Sequence, residues 1–218
     1  MNRRTLTPTA VALAATAALW LTACSSNNDK PQGTGKIAGA EEGSKRPTSV
    51  SPPAAPDAKR PDTTLPKDVK DLFEGWQTGD ATKDAVLADA ARAQTATNYA
   101  IIKSNPDEPA MSFYRQQDAL VSGQVWVKSF ADAGMIYTGT LRYFSPEIKL
   151  FDQHSAGLSF CLDSSKAFNK NIKTGKLDTS PPTKDSYILY STRLERNERG
   201  VWQTTKLQSE MGNKKCTP

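Results

Sequence analysis

Hydrophobic and polar positions along this chain change their spacing near residue 134. Between residues 66 and 133 apolar side chains recur at helical intervals, and beyond 134 they alternate. Val69, Leu72, Phe73 and Trp76 stand at i, i+3, i+4 and i+7 with charged residues between them, which predicts a helix over 69–76 that Thr78-Gly79-Asp80 ends. A second helix is expected over 82–103. Its Val86, Ala90, Ala93 and Thr97 form a stripe of small residues, and Asn105-Pro106 stops it. A third helix, over 113–133, presents Leu120, Gly123, Val127 and Phe130 with Trp126 beside them, and Gly134 closes it. The alternating part holds β-branched and aromatic runs at 136–144, 148–151 and 157–162, the last two joined as a hairpin through Asp152-Gln153-His154-Ser155. A second hairpin is expected from 187–194 and 201–208, with Asn197 and Gly200 in its turn. The fold class expected is α+β: N-terminal helices packed against a curved antiparallel sheet of about five strands.

Upstream of this region the pattern changes character. Arg3 and Arg4 precede an apolar run over 10–21 without an acidic residue, too short for the roughly 20 residues of a membrane-spanning helix and of the right length for a secretory leader. The run ends in Leu21-Thr22-Ala23-Cys24, which resembles the lipobox of bacterial lipoproteins, where the cysteine thiol accepts a diacylglycerol. Residues 1–23 are therefore expected to be a removed signal peptide and Cys24 the lipidated residue. Acyl chains contribute about 0.8 kcal/mol per buried methylene, so the lipid would serve as the membrane partner without a spanning helix. Asn2-Arg3-Arg4-Thr5-Leu6 also loosely resembles a twin-arginine signal, so the general secretory and twin-arginine routes both stand. Residues 25–65 carry six prolines and no aromatic residue. Such a segment buries too little apolar surface to offset its ordering entropy, and 24–65 is read as a disordered tether. The remaining 66–218 is one globular domain, large enough for its own core. The expected location is the extracytoplasmic face of a bacterial cell membrane.

Charge excludes one class of partner. Lys and Arg number 28 against 23 Asp and Glu, and losing Arg3 and Arg4 with the leader leaves an excess of three, too weak for nucleic acid. Three cysteines and the single His154 make a four-ligand zinc site only if all four join, so no metal is expected. No H-E-x-x-H, P-loop, G-x-G-x-x-G or S-x-x-K occurs, and no cofactor is expected. With Cys24 given to lipid, Cys161 and Cys216 remain as an even pair in an exported domain and predict a disulfide. Closing a loop of some 55 residues contributes roughly 4 kcal/mol in the chain-entropy model.

Candidate chemistry is sparse. Asp163 follows Cys161 by two residues, where the strand runs out, and is a possible base or ligand-orienting group; capping through Ser164 and Ser165 explains it equally. Arg142 and Tyr143 on the longest strand are the other pocket candidates, with surface pairing and sheet packing as their alternatives. A long connection is expected over 164–184, carrying Lys166, Lys170, Lys173, Lys176 and Lys184 against the single acid Asp178. Anionic head groups or wall polymers would suit it, and so would water.

Leu72-Phe73-Glu74-Gly75-Trp76-Gln77-Thr78-Gly79-Asp80, Thr138-Gly139-Thr140-Leu141-Arg142-Tyr143, Phe160-Cys161-Leu162-Asp163, Gly200-Val201-Trp202-Gln203-Thr204-Thr205 and Lys215-Cys216 together resemble an uncharacterised group of actinobacterial secreted lipoproteins. At the level of the fold, the order of elements is similar to the nuclear-transport-factor-two-like (cystatin-like) cone, in which a curved sheet wraps a long helix around a pocket. The resemblance to the lipoprotein group implies a secreted, lipid-anchored domain. Its expected role is non-catalytic binding of a small ligand or an envelope protein. The alternatives are a small enzyme resembling ketosteroid isomerases and polyketide cyclases, or an accessory subunit of an envelope complex.

Overall fold

The computed structural model describes residues 58–218. The leader, Cys24 and the first part of the tether lie outside the described residues. The order of elements is β1 (Val69–Phe73), α1 (Ala81–Ile102), α2 (Pro109–Tyr114), α3 (Gln117–Ala133), β2 (Met135–Leu150), β3 (Ser155–Asn171), β4 (Tyr187–Arg196) and β5 (Trp202–Met211). The strands form one sheet in the order β1-β2-β3-β4-β5, with β1 parallel to β2 and every other pair antiparallel. The fold is α+β as expected, but the sheet is mixed.

The first expected helix is a strand. Val69, Asp71 and Phe73 turn inward while Lys70 and Leu72 face out, Leu72 being 44 % exposed. A span of eight residues is short for a stable helix. Pairing with β2 gives the same backbone a ladder instead, and Phe73 stacks on Tyr143 at 4.7 Å while Trp76 packs between Phe73 and Phe160.

α1 runs close to its expected 82–103. Asp80 caps it by accepting hydrogen bonds from the backbone N–H groups of Thr82 and Lys83. Its small residues let other elements close in around it, so that Val86, Ala90, Ala93, Ala96 and Ala100 are all buried. The third expected helix is broken in two. Arg115 and Gln116 are extended between α2 and α3, held by a bridge from Arg115 to Thr204 and by hydrogen bonds from Gln116 N to Thr204 O and from Gln116 Nε2 to Gln203 Oε1. Strand β5 supplies the partners that the interrupted helix loses. Gly134 ends α3 in the left-handed conformation.

β2 and β3 are longer than the usual limit of about 10 residues and curl. The runs expected at 136–144 and 148–151 are one strand with an irregularity between Phe144 and Glu147. The expected loop over 164–184 is likewise strand as far as Asn171, because 166–171 pair with 135–140 of β2. Cys161 faces away from the helices and is joined to Cys216, with Cα atoms 5.4 Å apart, which lays the C-terminal tail over the outer face of the sheet.

Residues 58–65, assigned from sequence to the tether, lie against the domain. Leu65 packs on the core and Arg60 makes a forked contact with the buried Asp89 carboxylate, 3.0 Å at its closest. Asp89 also accepts from Arg92 at 2.8 Å and from the buried backbone N–H of Trp202 at 3.0 Å.

Candidate functional site

The curled sheet does not close completely on the helices. Between α1, α3 and the concave face of β2–β5 lies a cavity of about 660 Å³, partly open to solvent. Its apolar wall comes from alternate strand positions, among them Leu141, Leu162, Ile188 and Leu207, with Ile101 and Phe130 from the helices. Trp126 and Met211, 56 % and 70 % exposed, stand at its rim with Pro181 and Pro182.

Polar side chains make up about half of the lining, and the charged one among them that is buried is Arg115. Arg115, 3 % exposed, reaches in from the α2–α3 corner. It passes beside Gly123 of α3, where a Cβ would stand 3.6 Å from Arg115 Cδ, ordinary contact, and 2.9 Å from the flexible Met111 Cε. Arg115 Nη2 donates to Gln94 Oε1 at 3.3 Å, while its Nε has no partner. One helical turn along α1, Asn98 Nδ2 donates both to Asp71, at 2.9 Å, and to the Tyr143 hydroxyl, at 2.9 Å. Asp71 is fixed by this and by Thr95 Oγ1 at 2.9 Å. Because the Tyr143 oxygen accepts from Asn98, its own proton is free to be donated. Tyr137, on the same wall, has a buried hydroxyl without a partner.

Burial sets the protonation of these groups. It pushes the phenols of Tyr137, Tyr143 and Tyr190 above their ordinary value, so they remain O–H donors at neutral pH. Burial likewise raises the Asp71 carboxyl, against the lowering effect of its bonds from Asn98 and Thr95. Burial lowers Arg115, whose guanidinium nonetheless keeps its charge. Among the described residues, the one carboxylate that lines the cavity is Asp178, in the exposed connection at its rim.

Of the residues singled out from sequence, Tyr143 lines this cavity. Asp163 and Arg142 do not, and are corrected here: they are register partners on the outer face of the sheet. Arg142 pairs with Glu74 at 2.8 Å and with Asp163 at 3.5 Å, and Asp163 accepts from the Ser165 backbone N–H. Alternation puts them there, opposite to their inward neighbours Leu141, Tyr143 and Leu162. The lysines are dispersed. Lys166 and Lys170 belong to β3, where Lys170 lies 3.7 Å from Asp68; Lys173 and Lys176 sit in the following turn, and Lys184 begins a short 3-10 turn. Among the described residues no group of three or more His, Cys, Asp or Glu converges, and no helix is long and apolar enough to cross a membrane.

Sequence reasoning missed Arg115, the most unusual group in the cavity. One signal was present: a continuous helix over 113–133 would align Arg115 with Ala119, Gly123 and Val127, placing a permanent charge on its apolar face.

Curved sheet, central helix and partly open cavity together define a cone-like α+β domain. No protein-family model matches the chain, and no curated protein matches it either. Solved structures with a similar arrangement include the intermembrane-space region of the chloroplast protein ARC6, at 11 % identity and a TM-score of 0.38, covering 62 % of this chain and 99 % of that one. A ketosteroid isomerase-like protein from Erwinia carotovora atroseptica matches at 15 % identity and 0.37, covering 58 % and 93 %. A protein from Catenulispora acidiphila matches at 11 % and 0.42, covering 62 % and 98 %. These likenesses concern the arrangement of elements and bring no residue's role with them.

Proposed function

We propose that this chain is a non-catalytic binding protein for a small, largely apolar molecule, held on the outer face of the cell membrane by acylated Cys24. The observation that carries the reading is the cavity: about 660 Å³, partly open to solvent, with aliphatic and aromatic side chains over about half of its lining and polar ones, the buried Arg115 among them, over the rest. That combination characterises small-molecule sites. General acid–base chemistry would want a titratable group poised near neutral pH at the wall, yet the phenols are pushed up and Asp71 is engaged with Thr95 and Asn98. The Cys161–Cys216 disulfide fits an oxidising compartment outside the cytoplasm.

The neutral dye Nile red tests the binding half. It is expected to bind the purified full chain at one saturable site with a rise in emission. Leu162→Trp, which fills the cavity, should weaken it at least tenfold while leaving the far-ultraviolet circular dichroism unchanged. Equal binding by the two proteins would place the dye elsewhere and remove the reading. For the anchoring half, palmitate label is expected to follow the chain into the membrane fraction of a producing bacterium. Cys24→Ala should abolish the label and release the chain from the membrane; an unlabelled native chain would contradict the anchor.

A further inference from the structure

Among the polar groups that line the cavity, one is a buried guanidinium that no acid among the described residues neutralises. Arg115 belongs to none of the eight ion pairs among the described residues. The titratable neighbours that its guanidinium senses are Tyr190 and Tyr143, both neutral phenols. Its one side-chain hydrogen bond goes to Gln94 at 3.3 Å, and its buried Nε has no partner among the described residues. A buried cation in this condition is strongly unfavourable unless a counter-charge arrives. The Asp71 carboxylate is turned to Asn98 and Thr95, and Asp178 lies in the exposed rim connection.

We infer that Arg115 is the anchoring residue for a carboxylate, so that the ligand of this cavity is an amphipathic monocarboxylate with its head inward and its apolar body toward Trp126 and Met211. The inference deepens the pocket reading and rests on it. Three features select the class. A guanidinium fork matches the two oxygens of a carboxylate, one uncompensated positive charge matches one negative charge, and the neighbouring phenols offer neutral O–H donors to the oxygens that remain. A phosphate dianion would want a second cation, and no lysine lines the wall. The direction follows from burial: Arg115 is 3 % exposed, whereas Trp126 is 56 % exposed at the rim.

The test compares three probes of one chain length, decanoate, methyl decanoate and decylamine, titrated calorimetrically into the full chain at pH 7.5. Decanoate is expected to bind at least tenfold tighter than the ester, with decylamine weakest. Arg115→Met should bring decanoate down to the ester's affinity and leave the ester unchanged; Arg115→Lys, which keeps the charge without the fork, should fall between. Should the Arg115 variants fail to fold, the pH dependence in the native chain decides the matter. Decanoate binding should weaken as the pH falls through the ligand's own carboxyl pKa, while ester binding stays level. Equal affinities for decanoate and ester, a preference that survives in Arg115→Met, or no difference between their pH profiles would overturn the anchor. Nile red binding and its loss in Leu162→Trp report on the cavity separately, so a failed anchor and a failed cavity give different results.

Discussion

Gly139→Ala is expected to destabilise the domain by about 4 kcal/mol or more, among the larger effects available to a single methyl group. Gly139 lies in β2 with φ +97°, between β1 and β3, and its N–H donates to Asp68 O at 2.7 Å. A side chain suffers there twice. The conformation itself is adverse to an L-residue by about 1–3 kcal/mol. A Cβ would also overlap the backbone carbonyl of Lys166 in β3, and backbone within a sheet cannot step aside as a flexible side chain does. Gly175 supplies the comparison, since it has φ +71° with nothing within 4 Å of the site a Cβ would occupy. Gly175→Ala should therefore show the conformational part alone, about 1–2 kcal/mol. Urea unfolding of the two variants measures the difference. Equal losses would mean that β3 does not hold Gly139 closely.

The second large effect is expected at Asp89, a residue of α1 that does not line the cavity. Its carboxylate is 1 % exposed and gathers Arg60, Arg92 and the Trp202 backbone N–H. The two arginines are 30 % and 44 % exposed, so water compensates them in part and their pairing alone is worth little. The buried N–H of Trp202 has no such recourse, and an orphaned group of that kind costs about 1–3 kcal/mol, with the loss of charge-assisted bonds in addition. Asp89→Ala should thus lose about 3 kcal/mol, a fall in melting temperature on the order of 10 °C for a domain of this size. Arg60→Ala should lose less than about 1 kcal/mol. A reversal of that order would shift the weight of the cluster from the β5 backbone to the surface ion pairs.

Both sites show why parts of this fold were legible in the chain and parts were not. Helix α1 was readable because its cap at Asp80, its stripe of small residues and the stop at Asn105-Pro106 are local signals that agree. Gly134 was readable for the same reason. Strand β1 was not: Val69, Leu72, Phe73 and Trp76 satisfy a helical spacing, but 69, 71 and 73 satisfy an alternating one equally well, and β2, 70 residues away, settled the choice. The extension of β3 through Lys166 and Lys170 likewise depends on 135–140 as its partner. Polar residues in the partly exposed end of a long strand carry no periodic mark.

At the cavity the division is sharper. Tyr143 was singled out from its strand, and alternation sends it inward; the same alternation sends Arg142 and Asp163 outward, where they pair with each other. Arg115 enters the cavity because Thr204 and Gln203 of β5 open the helix at Arg115-Gln116, which no residue nearby announces. By itself the amino-acid sequence determined the sequential order of most elements, their local ends and the two sulfurs available for pairing. Only the tertiary structure decided the parallel first strand, the close approach of β3 at Gly139 and the burial of a lone guanidinium, because each depends on contacts between segments far apart in the chain, where spacing along one segment holds no information about its partner.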